Sequence, residues 1–206
     1  MGKRPPNECL IFADFNPEWL NTPSPFDELD EEWVSIIIFF VFHIPVANVS
    51  ARGTTLQAFH WGEKSKNDDF KLLKSRLINY AEMDEDEFKA VDAWIEVKEA
   101  LKNNNLIDFP LDITKPRLTF RKDKCGVCES LCNHIRNSFA HGRLAFYKEN
   151  SETYVAMEDI DDKHTVSARL ILSKTILKRW IEIIRCGPFE TNCELDKKFY
   201  LKIVKA

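Results

Sequence analysis

Three side chains that could take part in catalysis or ligand binding lie within six positions of one another. Arg136 and Asn137 are followed by His141, and Gly142 comes directly after the histidine. An imidazole can transfer protons near neutral pH, so His141 could take part in proton-transfer chemistry. The alternative is that His141 caps helix carbonyls while Arg136 forms a surface ion pair.

A helix capped by Asp123 and ending at His141 is predicted to carry these residues. At about 100° per residue, four apolar side chains form one core stripe, namely Val127, Leu131, Ile135 and Phe139. Arg136, Asn137 and His141 fall on the other half of the helix, where Ala140 would let a second helix approach closely. One chain is therefore expected to supply only part of a site.

The segments after Gly142 are predicted to form a hairpin and a long helix. Residues 143–148 and 153–158 flank Glu149-Asn150-Ser151-Glu152, which favours a short hairpin. Residues 165–185 have apolar side chains at helical spacing and end at Cys186-Gly187-Pro188, a stop signal. A last strand is predicted at 199–204.

The first half of the chain also has mostly helical spacing. Acids at 30–32 begin a stretch, 33–49, that is apolar nearly all round and is predicted to be a central helix, although its composition also suits a strand. The stretch is short for a membrane span, and His43 and Pro45 interrupt it. Residues 69–81 and 84–103 predict an antiparallel pair of helices. Residues 50–63 are interpreted as a loop or broken turns, and 104–122 as a connector because of Pro110 and Pro116.

Length and composition indicate one domain that is mainly helical. The chain has 206 residues, of which 44% are hydrophobic and only 6 are glycine. Residues 30–206 are assigned to the domain. Residues 1–29, rich in proline and acids, are predicted to be an arm packed on it through four aromatic side chains, Phe12, Phe15, Trp19 and Phe26.

The net charge of −4 is unevenly distributed. Residues 1–114 carry 11 basic and 21 acidic side chains, whereas residues 115–206 carry 18 and 12. A basic second half favours a phosphate-bearing ligand. Charge balance between two packed halves is the other interpretation.

The residues after Met1 lack the apolar core of a secretory signal peptide, so the chain is expected in the cytoplasm. Its cysteines are then expected to be reduced, and no membrane association is expected. Cys125, Cys128 and Cys132 together with His134 have the spacing of metal ligands. On one helix, however, Cys125 and Cys132 lie about 10 Å apart along the axis. No metal or other cofactor is therefore expected. The acids at 158–162 are interpreted as a solvated loop, and His43 and His60 as hydrogen-bonded core or loop residues.

The string I-R-N-S-F-A-H-G-R at 135–143 resembles the HEPN superfamily (higher eukaryotes and prokaryotes nucleotide-binding domain). The family signature is an arginine, four to six residues and a histidine, often with a polar residue after the arginine. The hairpin and helix predicted after it are similar to the plasmid- and defence-associated members. The resemblance covers about 120–185.

The resemblance implies an antiparallel helical bundle that acts as a homodimer and cleaves RNA without metal, as a toxin or anti-phage effector. His141 would act as general base or acid, Arg136 would hold the phosphoryl oxygens and Asn137 would position them. Arg143 would add RNA affinity or face solvent. Arg143 stands where some toxin members of the family have a tyrosine that an antitoxin modifies. Inhibition through modification of that tyrosine is therefore in doubt for this chain. An antitoxin or regulatory protein is still expected as a partner. The alternative is a non-catalytic module that binds nucleotide, RNA or a protein.

Overall fold

The computed structural model describes residues 29–46, 53–63, 66–107, 112–162 and 165–188. Five α-helices are present in this part of the chain: α1 (Glu31–Ile38), α2 (Lys66–Tyr80), α3 (Trp94–Asn103), α4 (Val127–Ala140) and α5 (Lys174–Cys186). The strands are β1 (Phe88–Val91), β2 (Arg117–Arg121), β3 (Leu144–Glu149), β4 (Glu152–Ile160) and β5 (Val166–Ser173). A π-helix, Phe39–His43, continues α1, and a 3₁₀-helix spans Leu56–Phe59. Nearly all of the predicted arm and the predicted strand at 199–204 lie outside the described residues.

The strands form one mixed sheet in the order β1-β2-β5-β4-β3. The pair β1–β2 is parallel and is connected through α3, whereas the other neighbours are antiparallel. Because neighbouring side chains on a strand point to opposite faces, β4 and β5 each contribute to two cores. In β5, Leu170 and Leu172 lie on one face and Ile171 lies on the other.

Helices cover both faces of this sheet. The larger core joins α1, the π-helix, α2, α4 and α5 to one face, with Trp33, Trp61 and Trp180 fully buried in it. The smaller core lies on the other face, where Val97, Ala100 and Leu101 of α3 pack. The predicted helical bundle is therefore wrong, and the fold is an α/β arrangement built around a five-stranded sheet.

The largest error concerns residues 165–185, which are not one helix. Their first half is β5, in which all eight residues are buried, and their second half is α5. A strand covered on both faces needs apolar side chains at successive positions, and such a run also satisfies helical spacing. Ser173 marks the boundary, since its Oγ accepts a hydrogen bond from the Ile176 N–H at 3.1 Å.

The two strands of the parallel pair were also not predicted. The helix expected over 84–103 begins only at Trp94, because residues 88–91 form β1. The expected connector at 104–122 contains β2, which starts directly after Pro116. Both strands have five residues or fewer, too few to show a periodic pattern.

The predicted hairpin is confirmed by β3 and β4. They pair in antiparallel register from Leu144 opposite Met157 to Glu149 opposite Glu152. Asn150 and Ser151 form the two-residue loop with φ of 48° and 70°. Two positive φ values are what a type I′ turn requires, and its twist matches that of the strands.

Candidate functional site

The C-terminal end of α4 carries the predicted site. The helix ends at Ala140, and His141 is its C-cap residue. The next residue, Gly142, adopts a φ of 63°. The Gly142 N–H donates to Phe139 O at 3.2 Å and the Arg143 N–H donates to Ser138 O at 2.9 Å. This pair of bonds is a Schellman motif, which satisfies two end carbonyls and uses glycine for the left-handed backbone. It fixes the backbone on both sides of His141.

The start of α4 differs from the prediction. Its capping residue is Gly126, not Asp123. The Asp123 carboxylate instead pairs with Arg121 at the end of β2, and its backbone N–H donates to Ser130 Oγ at 2.8 Å. Asp123 therefore fixes the loop before the helix.

A buried histidine–aspartate pair joins α4 to the sheet. His134 Nδ1 lies 2.6 Å from Asp159 Oδ2 of β4, and His134 Nε2 lies 2.8 Å from the carbonyl oxygen of Arg121. A carbonyl can only accept, so the ring carries hydrogen at Nε2, and a second hydrogen is shared between Nδ1 and the carboxyl group. Ser167 Oγ also donates to Asp159 Oδ2, at 3.1 Å. These bonds hold Asp159 in one position beneath α4.

Asn137 connects this buried pair to Arg136. Asn137 Nδ2 donates to Asp159 Oδ2 at 3.3 Å, and its Oδ1 accepts from Arg136 Nη1 at 3.0 Å. Because a carboxylate only accepts, the amide nitrogen must face Asp159, which leaves the amide oxygen to face the guanidinium. A chain of hydrogen bonds thus runs from His134 through Asp159 and Asn137 to Arg136.

The placement of Asn137 differs from the helical projection, which put it among outward-facing residues. The buried part of α4 is wider than the predicted apolar stripe, since it also includes Ser130, His134 and Ser138. Asn137 lies at the border of that wider region and is half-buried, as is Arg136. Ala140 and His141 are exposed. The His141 ring makes no hydrogen bond within the described chain.

Arg143 is separated from the other three residues by the sheet. Its guanidinium pairs with the fully buried Glu158, which Arg169 also contacts, at 2.9 Å through Nε. Glu158 and Asp159 are neighbours on β4 and so point to opposite faces. In agreement, Arg169 Nη1 donates to the carbonyl oxygen of Leu106, directly after α3, at 2.8 Å. The structure does not bring Arg143 together with Arg136.

The cysteines of α4 are packing residues in this structure. Cys128 and Cys132 are buried in the larger core, and burial raises the pKa of the Cys128 thiol to about 12 and that of Cys132 further still. Cys125 is exposed, and its thiol lies 3.6 Å from Ser130 Oγ. In the described ranges, no three His, Cys, Asp or Glu side chains are grouped to hold a metal ion.

Sequence reasoning missed the acids that organise the site. Glu158 ended the predicted strand 153–158, and with Asp159 it was interpreted as the start of a solvated loop, but both residues are buried in β4. One signal was available: no glycine, proline or asparagine separates them from the apolar run 155–157, so the strand continues through them. His134 was considered only as a metal ligand, and Ser167 not at all.

Comparisons with protein-family models, with curated proteins and with solved structures find no match to this chain. None of the helices in the described ranges has the length and apolar character needed to cross a membrane.

Proposed function

We propose that the protein is a metal-independent endoribonuclease that acts as a homodimer. The observation that supports this most directly is the chain of hydrogen bonds that orients Arg136 at the helix end where His141 is exposed. A phosphate-binding arginine held by buried partners is pre-organised, so little reorganisation is needed when charge develops on a phosphoryl group.

The proposed reaction is a transesterification within RNA. The ribose 2′-oxygen attacks the adjacent phosphorus, its proton passes to the His141 imidazole of one protomer, and the bond from phosphorus to the 5′-oxygen breaks. The leaving oxygen takes a proton from an imidazolium, which the second protomer's histidine can supply. Arg136 neutralises the equatorial oxygens in the transition state, and Asn137 holds the guanidinium in place. The products are a 2′,3′-cyclic phosphate and a 5′-hydroxyl end, and DNA is not a substrate because it lacks the 2′-hydroxyl.

A second candidate is a non-catalytic module that binds RNA, nucleotide or a protein through the same helix end. One observation favours it: no hydrogen bond joins Arg136 to His141 in the described chain, and the guanidinium is hydrogen-bonded to Asn137. An arginine oriented in this way can bind phosphate without a proton-transfer partner. The first candidate cleaves RNA with turnover, whereas the second only binds its ligand.

In the first candidate the protein would act in the cytoplasm as a toxin or anti-phage effector, and an antitoxin or regulatory protein would restrain it. Modification of a tyrosine is not part of the proposal, because Arg143 occupies that position and its guanidinium pairs with Glu158. The predicted RNA contact of Arg143 is not part of it either, since the sheet lies between Arg143 and Arg136.

The test is an RNA cleavage assay in EDTA with four proteins: wild type, Arg136→Ala, His141→Ala and His60→Ala. His60 is a matched control because its side chain is 65% exposed and it pairs only locally with Glu63. We expect His60→Ala to cleave like wild type and the two site variants to lose about 100-fold or more in rate. RNA with a single 2′-deoxy substitution at the mapped position should resist cleavage.

Two outcomes would overturn this assignment. Cleavage that persists in both site variants would exclude Arg136 and His141 as the catalytic groups. RNA binding that requires Arg136, with no cleavage of any RNA by wild type, would establish the binding module instead.

A further inference from the structure

Strand β1 lies at one end of the sheet and pairs only with β2 in the part of the chain that the structure describes. The Glu87 carbonyl accepts a hydrogen bond from the Leu118 N–H at 2.7 Å. Four residues further on, the Val91 carbonyl accepts one from the Lys122 N–H, also at 2.7 Å. Because these directions alternate along a strand, the N–H and carbonyl groups of Ala90 point to the open side. An open edge of this kind can pair with a further strand.

A groove of about 700 Å³ lies along β1, between the strand and α3. Carboxylates outnumber cations among its lining side chains, which include Asp86, Asp92, Glu96 and Glu99 but only one lysine, Lys89. Asp92 pairs with Lys122, and Glu96 accepts from the Ala93 N–H. Asp86 and Glu99 are exposed and form no ion pair within the described ranges. The groove therefore favours a partner that carries lysine side chains.

The chain itself contains a segment with the matching character. Residues 198–205, K-F-Y-L-K-I-V-K, include three lysines and no acid, and they lie outside the described residues. The sequence predicts a strand over 199–204. In a strand, one face would carry an apolar row formed by Phe199, Leu201 and Ile203, and the other face would carry Lys198 and Lys202 with Tyr200 between them.

The described chain ends close to this edge of the sheet. Just before that end, the Gly187 carbonyl oxygen accepts a hydrogen bond from Arg76 Nη1 of α2 at 3.0 Å. Two residues earlier in α2, Lys74 Nζ lies 5.7 Å from the centre of the Phe88 ring in β1. The chain end and β1 therefore both contact the second half of α2. The nine residues 189–197 can span about 30 Å when extended, which is enough to run from one contact to the other.

We propose that residues 198–205 dock on the open edge of β1 and form a sixth strand of the sheet within the same chain. An edge covered in this way is not available for pairing with strands of other molecules. The proposal goes beyond the proposed function and does not depend on RNA cleavage.

The two faces of β1 determine how the added strand would be oriented. Ala90 packs against the larger core, whereas Val91 belongs to the smaller core on the side of α3. With the apolar row of 198–205 on the side of the larger core, its lysines point to the side of α3, where Glu96 and Glu99 line the groove. The opposite arrangement would place lysines against the core and apolar side chains against carboxylates. This argument holds for either direction of the strand, since side chains alternate in both.

The test is amide hydrogen exchange of the full-length protein. We expect the Ala90 N–H to be protected in wild type because it donates to the docked strand. Leu201→Pro should lower that protection by about 100-fold, since proline does not fit the interior of a paired strand. Thr191→Pro is the matched control, because it places the same residue in the connection 189–197, and it should leave Ala90 protected. The Val91 N–H points towards β2 and should stay protected in every variant that is folded.

A charge reversal tests the lysine contacts. Glu99→Lys should lower the protection of the Ala90 N–H by about five-fold, the scale of an exposed ion pair. Adding Lys198→Glu or Lys202→Glu to that variant should recover most of the loss in one of the two combinations. Recovery in neither combination would contradict the proposed contact between the lysines and α3.

Three results would overturn the docking within one chain. The first is an Ala90 N–H that exchanges in wild type as fast as an unfolded amide. The second is an Ala90 N–H that stays fully protected in Leu201→Pro. The third is protection that disappears when the protein is diluted, since the segment on β1 would then belong to a second copy.

Discussion

Asn137 is the residue on which the geometry of the candidate site depends. Its amide has two different ends, and the buried Asp159 accepts from only one of them. The orientation of Arg136 is therefore determined by a group in the core of the protein, not by solvent. An aspartate at position 137 would place a second carboxylate beside Asp159, and an alanine would leave the guanidinium without its partner.

At the same scale, Arg143 is expected to act on stability. Arg143→Ala removes one of two cations from the fully buried Glu158, so we expect the free energy of unfolding to fall by about 2–3 kcal/mol, in the range for a hydrogen bond to a charged group. Urea unfolding would measure it. Arg179→Ala is the control, since Arg179 is a half-buried arginine of α5 that forms no ion pair in the described chain.

RNA cleavage by the folded Arg143→Ala protein should stay within a few-fold of wild type. If the variant instead keeps its stability and its KM for RNA rises, Arg143 contacts RNA as the sequence predicted. Arg143→Lys should lie between wild type and alanine in stability, because an ammonium keeps the charge but loses the planar fork.

At the scale of elements, Ser173 gives a test whose sign depends on the fold. In the structure Ser173 caps α5, so Ser173→Ala should lower the free energy of unfolding by about 1 kcal/mol. If 165–185 were one helix, Ser173 would be in its interior, and alanine would stabilise it by about 0.5 kcal/mol. Urea unfolding would decide between the two folds: at an unchanged dependence of the unfolding free energy on urea concentration, a lower midpoint indicates the cap and a higher midpoint indicates the single helix.

Ser75→Ala in α2 serves as the control for that experiment. Ser75 is exposed within a helix, where its Oγ accepts only from Asn79 at 3.2 Å. Its substitution should change the free energy of unfolding by less than about 0.5 kcal/mol.

A second element-scale prediction concerns the ion pairs between α1 and α5. Hydrogen bonding to Lys174 lowers the pKa of Asp30, and hydrogen bonding to Lys178 lowers the pKa of Glu32. A carboxylate whose pKa is lowered on folding contributes stability that is complete above its ordinary pKa and is lost as pH falls through the lowered value. Below about pH 4, the protection factors of the α1 amides, that is, their exchange rates relative to those of unfolded amides at the same pH, should therefore fall while those of the β5 amides do not change, as hydrogen exchange read by NMR would show. Protection factors of α1 that are lower at pH 7 than below pH 4 would contradict it.

The sequence predicted those elements whose ends carry chemical signals. Gly142 marked the end of α4, and Asn150-Ser151 marked the hairpin turn. It did not predict β5, because a strand buried on both faces lacks the alternation that would separate it from a helix. It also did not predict the orientation of Asn137, since Asp159 is distant in sequence and reaches α4 only through the sheet. An apolar stripe identifies the side of a helix that is buried among apolar side chains. It does not identify a second buried side that carries polar residues.

At the scale of the whole molecule, the two oppositely charged parts of the chain are not two bodies. The parallel pair β1–β2 takes one strand from each, and α2 from the acidic part packs with α4 and α5 from the basic part. The charge asymmetry along the sequence is therefore compatible with charge balance across one packed fold. It does not by itself indicate a basic surface, so the proposal for RNA rests on the site.

The two cores should unfold together because they share the strands of one sheet. Leu177 of the larger core and Leu101 of the smaller core are both fully buried, which makes them a matched pair. Leu177→Ala and Leu101→Ala should each lower the free energy of unfolding by about 2–5 kcal/mol and move one common transition. Tryptophan fluorescence and far-ultraviolet circular dichroism should give the same midpoint in each variant. If Leu101→Ala instead produces a separate early transition, the face covered by α3 is an independent unit, and the sheet does not couple the two cores.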